Sequence, residues 1–233
     1  MAKEPVILLA PGVWRVPLFG DLVNGFLFRD DDGQVTVLDM GLKQSGKKVM
    51  AALGAIGSGP GDVTRLLLTH AHADHAGGTG YVAGETGLGV GVHEADAGFV
   101  AAGKVAPAAT SLGRLMAKLS GSGSFAPVPV DEELHDGQVI DVAGGLRVVH
   151  TPGHSPGHAS YLHESSGVLV TGDAIFNVRR IRWPVKAFCT DFKMTKQTAH
   201  RLGELEYDVA AFTHGPELRD GAREAIRTFL RKG

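Results

Sequence analysis

The chain has 233 residues, with 23 basic against 25 acidic side chains and a net charge of −2, so it lacks the basic excess that a nucleic-acid-binding surface requires. Hydrophobic residues make up 43% and charged residues 21%, an ordinary globular balance that excludes extended disorder. A single cysteine, Cys189, excludes an intrachain disulfide, and the length suits one α/β domain over residues 1–233. The apolar run Val6–Ala10 is shorter than a signal-peptide core or a membrane span, so the expected location is cytoplasmic, with no membrane partner.

In chain order, Val6–Leu9, Val13–Val16, Gly25–Phe28 and Val35–Leu38 read as short β-type runs. Asp30-Asp31-Asp32-Gly33 is a turn between the last two. Lys43–Ile56 reads as an amphipathic helix, with Val49, Leu53 and Ile56 near helical spacing and Gly57 after its end. Arg65–Thr69 is a compact apolar run, a buried strand that stops at His70. Gly87–Val92 is a strand, followed by a helix from about Glu94. Residues 102–128 are rich in Ala, Pro, Ser and Gly around one helical piece at 111–119, either a docked surface helix or a lid. Val139–Val142, Leu146–Val149, Ala159–Leu162 and Val168–Val170 are short strands. Lys193–Leu205 reads as a helix, Val209–Phe212 as a strand and Glu217–Arg231 as a closing helix. Both halves run strands, helix, strand, helix, which fits two β-sheets packed face to face with helices outside.

Four segments carry chemistry. The densest is Thr69-His70-Ala71-His72-Ala73-Asp74-His75, which places three histidines and one aspartate within six residues directly after a buried strand. Imidazole nitrogen and carboxylate oxygen are the usual non-thiolate ligands of zinc. On a regular strand, His70, His72 and Asp74 would share one face, and a helix starting near His75 would send that residue to a neighbouring site. The second segment is Thr151-Pro152-Gly153-His154-Ser155-Pro156-Gly157-His158, a tight loop after a strand. The third and fourth, Thr171-Gly172-Asp173 and Thr213-His214-Gly215, again put one ligand-type side chain at a strand end.

Joined in order, His70, His72, Asp74, His75, His154, Asp173 and His214 resemble the metallo-β-lactamase superfamily, over nearly the whole chain from Leu38-Asp39-Met40-Gly41 to the closing helix. The resemblance implies an αββα four-layer sandwich of two mixed β-sheets, with the metal centre between them at one edge. It implies that His70, His72 and His154 hold one metal ion, that Asp74, His75 and His214 hold a second, and that Asp173 bridges both. The expected cofactors are two divalent ions, zinc first, with manganese or iron as alternatives. Asp39 matches an early aspartate that orients a ligand, with a plain turn role as its rival. His158 is expected in a loop behind the ligands and His150 at a strand end. Cys189 is expected to be buried or near the pocket without being a ligand. His93, His135, His163 and His200 have no matched role.

The implied activity is hydrolysis by a metal-bridging hydroxide, with Asp74 as the catalytic proton-handling carboxylate and a lactone or thioester as substrate. Asp173 stands where true zinc β-lactamases usually carry cysteine, which argues against antibiotic hydrolysis. Nineteen residues follow His214, too few for the glutathione-binding extension of glyoxalase II. A one-iron persulfide dioxygenase, a phosphodiesterase and a β-lactam hydrolase of the same fold are the alternatives. Arg179, Arg180 and Arg182 follow Asp173 closely and are either a solvated loop edge or contacts for a substrate carboxylate or phosphate. The partner is a small molecule, with a homo-oligomer left open.

Overall fold

The computed structural model describes residues 4–110, 113, 115, 123–142 and 144–233. The helical piece expected at 111–119 falls almost wholly outside the described residues.

The first sheet runs β1 (Ile7–Ala10), β2 (Val13–Pro17), β3 (Asn24–Arg29), β4 (Val35–Leu38), β5 (Val63–Leu67), β6 (Val90–His93) and β7 (Val130–Leu134), side by side in that order. The first four strands form an antiparallel meander, whereas β4, β5, β6 and β7 are parallel. Parallel neighbours need crossovers. These are supplied by α1 (Gly46–Ala55), by the one-turn α2 (Ala73–Ala76) with α3 (Thr79–Thr86), and by α4 (Glu94–Ala101). In the second sheet, β8 (Val139–Ile140), β9 (Leu146–His150), β10 (Ala159–His163) and β11 (Val168–Val170) are antiparallel. Next, β12 (Phe176–Val178) and β13 (Arg180–Arg182) form a separate hairpin. The chain then passes through α5 (Phe192–Ala199) to β14 (Val209–Ala211), which pairs parallel to β11, and closes with α6 (Ala222–Lys232).

Period-two alternation makes the layers. Along β3, Phe26 and Phe28 belong to the core between the sheets, while Leu27 faces the core under α1, α3 and α4. Around the end of β5, Leu67 points between the sheets and Leu66 and Leu68 point to the helices. In the second sheet, Val168 and Val170 join the central core, whereas Leu169 joins a third core with Ala199, Leu202, Ile226 and Leu230. Because successive strand side chains point to opposite faces, a fully apolar run can feed two cores at once. The result is an αββα four-layer sandwich. The buried Tyr161 reaches across it and donates its hydroxyl to Leu68 O at 2.8 Å, tying β10 to the segment just before the histidine-rich run.

Several local expectations shift. The strand expected over Arg65–Thr69 ends at Leu67, because Asp39 captures the Thr69 amide at 2.8 Å. His70 and His72 therefore lie in a loop, with Asp74 and His75 on α2, and they do not share a strand face. The helix expected over Lys193–Leu205 is α5 up to Ala199 and then a tighter 3₁₀ turn, His200–Gly203. The closing helix begins at Ala222 rather than Glu217, after Gly221 in the left-handed region and a bridge from Leu218 to Ala210. The edge strand β7 is not marked in the sequence, since its charged Asp131, Glu132 and Glu133 mask the alternation, as edge strands do. No helix among the described residues is long and apolar enough to cross a membrane.

Candidate metal centre

All seven residues singled out from the sequence meet at one edge of the sandwich, beyond the C-terminal ends of β5, β9, β11 and β14. Two segments need glycine to get there. A Cβ on Gly78 would lie 2.3 Å from Met40 O, so only glycine lets the chain after α2 press against residues 40–46. Gly172 has φ +54°, and a Cβ there would meet His158 Nε2 at 2.5 Å.

His72 Nδ1 lies 2.9 Å from both His70 Nε2 and His154 Nε2. One imidazole nitrogen holds either a proton or a lone pair, so it cannot serve two such nitrogens as a hydrogen-bonding partner. Three nitrogens at this spacing instead match ligands around a shared cation, whose separations in a tetrahedral zinc site are about 3.3 Å. The second group is Asp74, His75 and His214. His214 Nε2 lies 3.4 Å from Asp74 Oδ2, and His75 Nε2 lies 3.7 Å from it. Asp173 stands between the groups. Its Oδ2 is 3.1 Å from His154 Nε2, and its Oδ1 is 3.3 Å from His75 Nε2 and 3.2 Å from His214 Nε2. His75 Nε2 is buried and has no hydrogen-bond partner. A nitrogen left so, facing two carboxylates among nitrogen and oxygen donors, fits divalent metal ions.

The far sides of the rings are also held. Asp39, itself at φ +58°, accepts from Thr69 N and Thr69 Oγ1 and from His75 Nδ1, each at 2.8 Å. The aspartate is therefore more than a turn residue. It fixes the proton of His75 on Nδ1 and turns Nε2 toward the cluster. His158 Nε2 accepts the Asp173 amide at 2.7 Å, while its Nδ1–H donates to Thr151 O at 3.0 Å. His158 thus sets the backbone that carries Asp173. Cys189 is buried with Sγ 3.5 Å from His154 Nδ1, behind the ring and away from the cluster. His214 Nδ1–H donates to Leu22 O.

Charge follows from burial and neighbours. Burial, then the other histidines, pushes His70 well below its ordinary value and His72 down to about 3. Both stay neutral and keep lone pairs available. Burial also pushes His158 down to about 3, in keeping with its acceptor role. Burial, the largest single influence, opposes protonation of His75 and His154 too, but Asp173 together with Asp74 and Asp39 raises His75 well above its ordinary value, and Asp173 together with Cys189 raises His154 to about 9. Burial would raise Asp173, yet His214, His75 and His154 hold it well below the usual carboxylate range.

Sequence reasoning missed Asp96. Fully buried on α4, it accepts Ala71 N at 2.9 Å, Ser155 Oγ at 2.6 Å and Gly157 N at 2.7 Å. It joins the loop of His70 and His72 to the loop of His154. Nothing in the sequence marks it, because an acidic residue in the first turn of a helix is already accounted for by the helix dipole. The His93 and His150 rings, which had no assigned partnership, stack at 3.8 Å beside these loops. His135, His163 and His200 lie elsewhere. His135 faces Glu94, His163 faces Ser166, and His200 is exposed in its 3₁₀ turn.

With Asp39→Asn, an amide replaces the carboxylate that receives His75 Nδ1–H. Metal affinity is expected to fall by about 10–100-fold with the fold retained, measured by competition with a chromophoric chelator. An unchanged affinity would remove Asp39 from any role in aiming His75.

Two packed sheets that bring histidine and aspartate donors to one edge define the site of a metal-dependent hydrolase. The model of the metallo-beta-lactamase superfamily matches residues 18–214, and the chain belongs to that superfamily, whose members bind divalent metals. YobT of Bacillus subtilis (strain 168) is 31% identical over 240 residues, covering 94% of this chain and 95% of its own. The probable metallo-hydrolase YqgX of the same organism is 26% identical, covering 88% and 90%. The crystal structure of a metallo-beta-lactamase family protein from Thermus thermophilus superposes with a TM-score of 0.74 at 26% identity, covering 97% of this chain and 80% of that one. Shorter matches include a hydroxyacylglutathione hydrolase of Rhodopseudomonas palustris, 28% identical over 66% of this chain and 48% of that protein. Another is an atrochrysone carboxyl ACP thioesterase of Aspergillus fumigatus, 28% identical over 48% and 28%.

Proposed function

We propose that this metallo-hydrolase works with two divalent ions, zinc first among them, and cleaves an ester-like bond, a thioester or a lactone, in a small-molecule substrate. The observation that carries the reading is Asp173, whose two oxygens face two separate groups of nitrogen donors at 3.1–3.3 Å. His70, His72 and His154 would hold one ion, Asp74, His75 and His214 the other, and Asp173 both. The thioester arm draws on the hydroxyacylglutathione hydrolase and the ACP thioesterase among the relatives.

When bound, such ions supply a water of pKa near 7 and polarise the carbonyl oxygen under attack. The chain's own residues do the rest. Asp39 and His158 hold His75 and Asp173 in place, so little reorganisation is needed during the reaction. Asp74 meets His75 and His214 through Oδ2. This carboxylate would take the proton that moves from water toward the leaving group. The Asp74 side chain is 36% exposed whereas that of Asp173 is 4% exposed, so Asp74 is the carboxylate open to substrate.

The test is elemental analysis of protein purified without added metal, alongside hydrolysis of thioester, lactone, phosphodiester and β-lactam probes. About two zinc per chain with thioester or lactone turnover is the expected result. About one iron per chain would overturn the paired-ion reading. Turnover of phosphodiesters or β-lactams alone would overturn the substrate class.

A further inference from the structure

The overall charge conceals a segregation. Between residues 179 and 196 the chain carries six basic side chains, Arg179, Arg180, Arg182, Lys186, Lys193 and Lys196, against one acidic one, Asp191. Asp191 is already engaged, capping α5 through the Met194 amide at 2.9 Å. This segment begins six residues after Asp173 and passes beneath His154 at Cys189, so it borders the metal centre.

The hairpin β12–β13 sorts its side chains by face. Phe176 pairs with Arg182 and Val178 with Arg180, and residues directly opposite in an antiparallel pair project on the same side, their Cβ atoms about 5 Å apart. The intervening Asn177 and Ile181 project the other way. On that second face Ile181 and, beyond the strand, Trp183 pack against the core under α6, with Trp183 and Phe229 rings 4.6 Å apart. The first face looks toward the site, since the Phe176 ring lies 4.3 Å from the His214 ring. The hairpin is anchored there by Asn177 N donating to His214 O at 2.8 Å and Asn177 Nδ2 donating to Pro216 O at 2.8 Å.

Arg180 and Arg182 thus stand on the face that meets His214, and both are exposed. Neither makes an ion pair or a side-chain hydrogen bond among the described residues. Arg15, Arg65, Arg147, Arg201, Arg219, Arg223 and Arg231, by contrast, all have carboxylate partners. Two unpaired guanidinium groups on one strand face, two residues apart, suit an oxyanion that accepts paired charge-assisted hydrogen bonds.

We propose that Arg180 and Arg182 form a subsite for a phosphate or carboxylate that the substrate carries away from the bond that breaks. This rests on the hydrolase reading above and narrows its substrate to an anionic ester or thioester. The subsite sits on a hairpin hydrogen-bonded to His214 O, so seating the anion orients the scissile carbonyl over the metal centre.

The test is calorimetry on the metal-loaded protein with three thioether analogues that cannot be hydrolysed. These are S-butyl N-acetylcysteamine (neutral), S-butyl N-acetylcysteine (carboxylate) and S-butyl phosphopantetheine (phosphate). At least one anionic analogue is expected to bind about tenfold or more tighter than the neutral one, and which one does so names the anion. In R180Q/R182Q that ratio falls to about one, while R231Q, on the closing helix, leaves it unchanged. Equal binding of all three analogues by the wild type overturns the subsite. So does a preference that survives in R180Q/R182Q, which would place the anion on the metal ions instead. Because the analogues are not cleaved, a failure of the ester probes would sink the hydrolase reading without touching this result.

Discussion

Replacing Asp173 with alanine is expected to reduce bound metal from about two ions per chain to one or fewer, and to lower kcat/KM by more than the roughly 100-fold that loss of an outer partner costs. Asp173 is the side chain that meets both donor groups, so its removal acts on both at once. Asp74, a ligand of one ion only, would then be the remaining carboxylate among the seven, and the mutual repulsion of two divalent ions would be less offset. The backbone need not collapse, because the His158 contact is to the Asp173 amide and survives the substitution. Elemental analysis and ester hydrolysis are to be read together, with circular dichroism checking the fold. A variant that keeps about two ions and turns over within about threefold of wild type would show that Asp173 bridges nothing.

Asp96→Ala is expected to destabilise the protein by about 3–5 kcal/mol. The substitution strands three buried donors, the amides of Ala71 and Gly157 and the hydroxyl of Ser155. A buried donor without an acceptor costs about 1–3 kcal/mol. The Asp96 pKa is raised, because burial outweighs the Ser155, Ala71 and Gly157 donors that lower it, so those three hydrogen bonds only partly offset the cost of burying the carboxylate. The measurement is urea unfolding in excess chelator, which separates this loss from the stability that bound metal adds. Asp96→Asn keeps an acceptor for one amide but turns an NH2 group toward other donors, so a smaller loss is expected there. A change below about 1 kcal/mol for the alanine variant would mean that the two loops are held together by other contacts.

The seven donors were legible in the sequence because each is marked locally. His70, His72, Asp74 and His75 crowd into six residues, His154 and Asp173 each follow a strand and a glycine, and His214 follows a strand and precedes a glycine. The sandwich was legible for a similar reason. Runs such as Gly25–Phe28 and Val168–Val170 are apolar on both faces, which suits strands buried on two sides. Strand ends were less legible. The Thr69 amide and hydroxyl are captured by a carboxylate thirty residues earlier, and that capture, rather than any local pattern, ends β5 and sends His70 and His72 into a loop.

What belongs to the sequence by itself is the chemistry and its order: nitrogen and oxygen donors, a strand before each group, and glycines where the chain must turn tightly. Tertiary structure alone decided how those donors are aimed and what stands behind them. Asp96 joins loops 25 and 61 residues away, His158 carries Asp173 from 15 residues back, and His72 and His154 meet across 82. The basic hairpin shows the same limit, since the sequence supplied three arginines but only strand register told which two look toward His214. Periodicity and turn residues act over a few neighbours, so they write the elements into the sequence. A hydrogen bond between distant segments depends on how whole layers pack, and no short stretch of sequence carries that information.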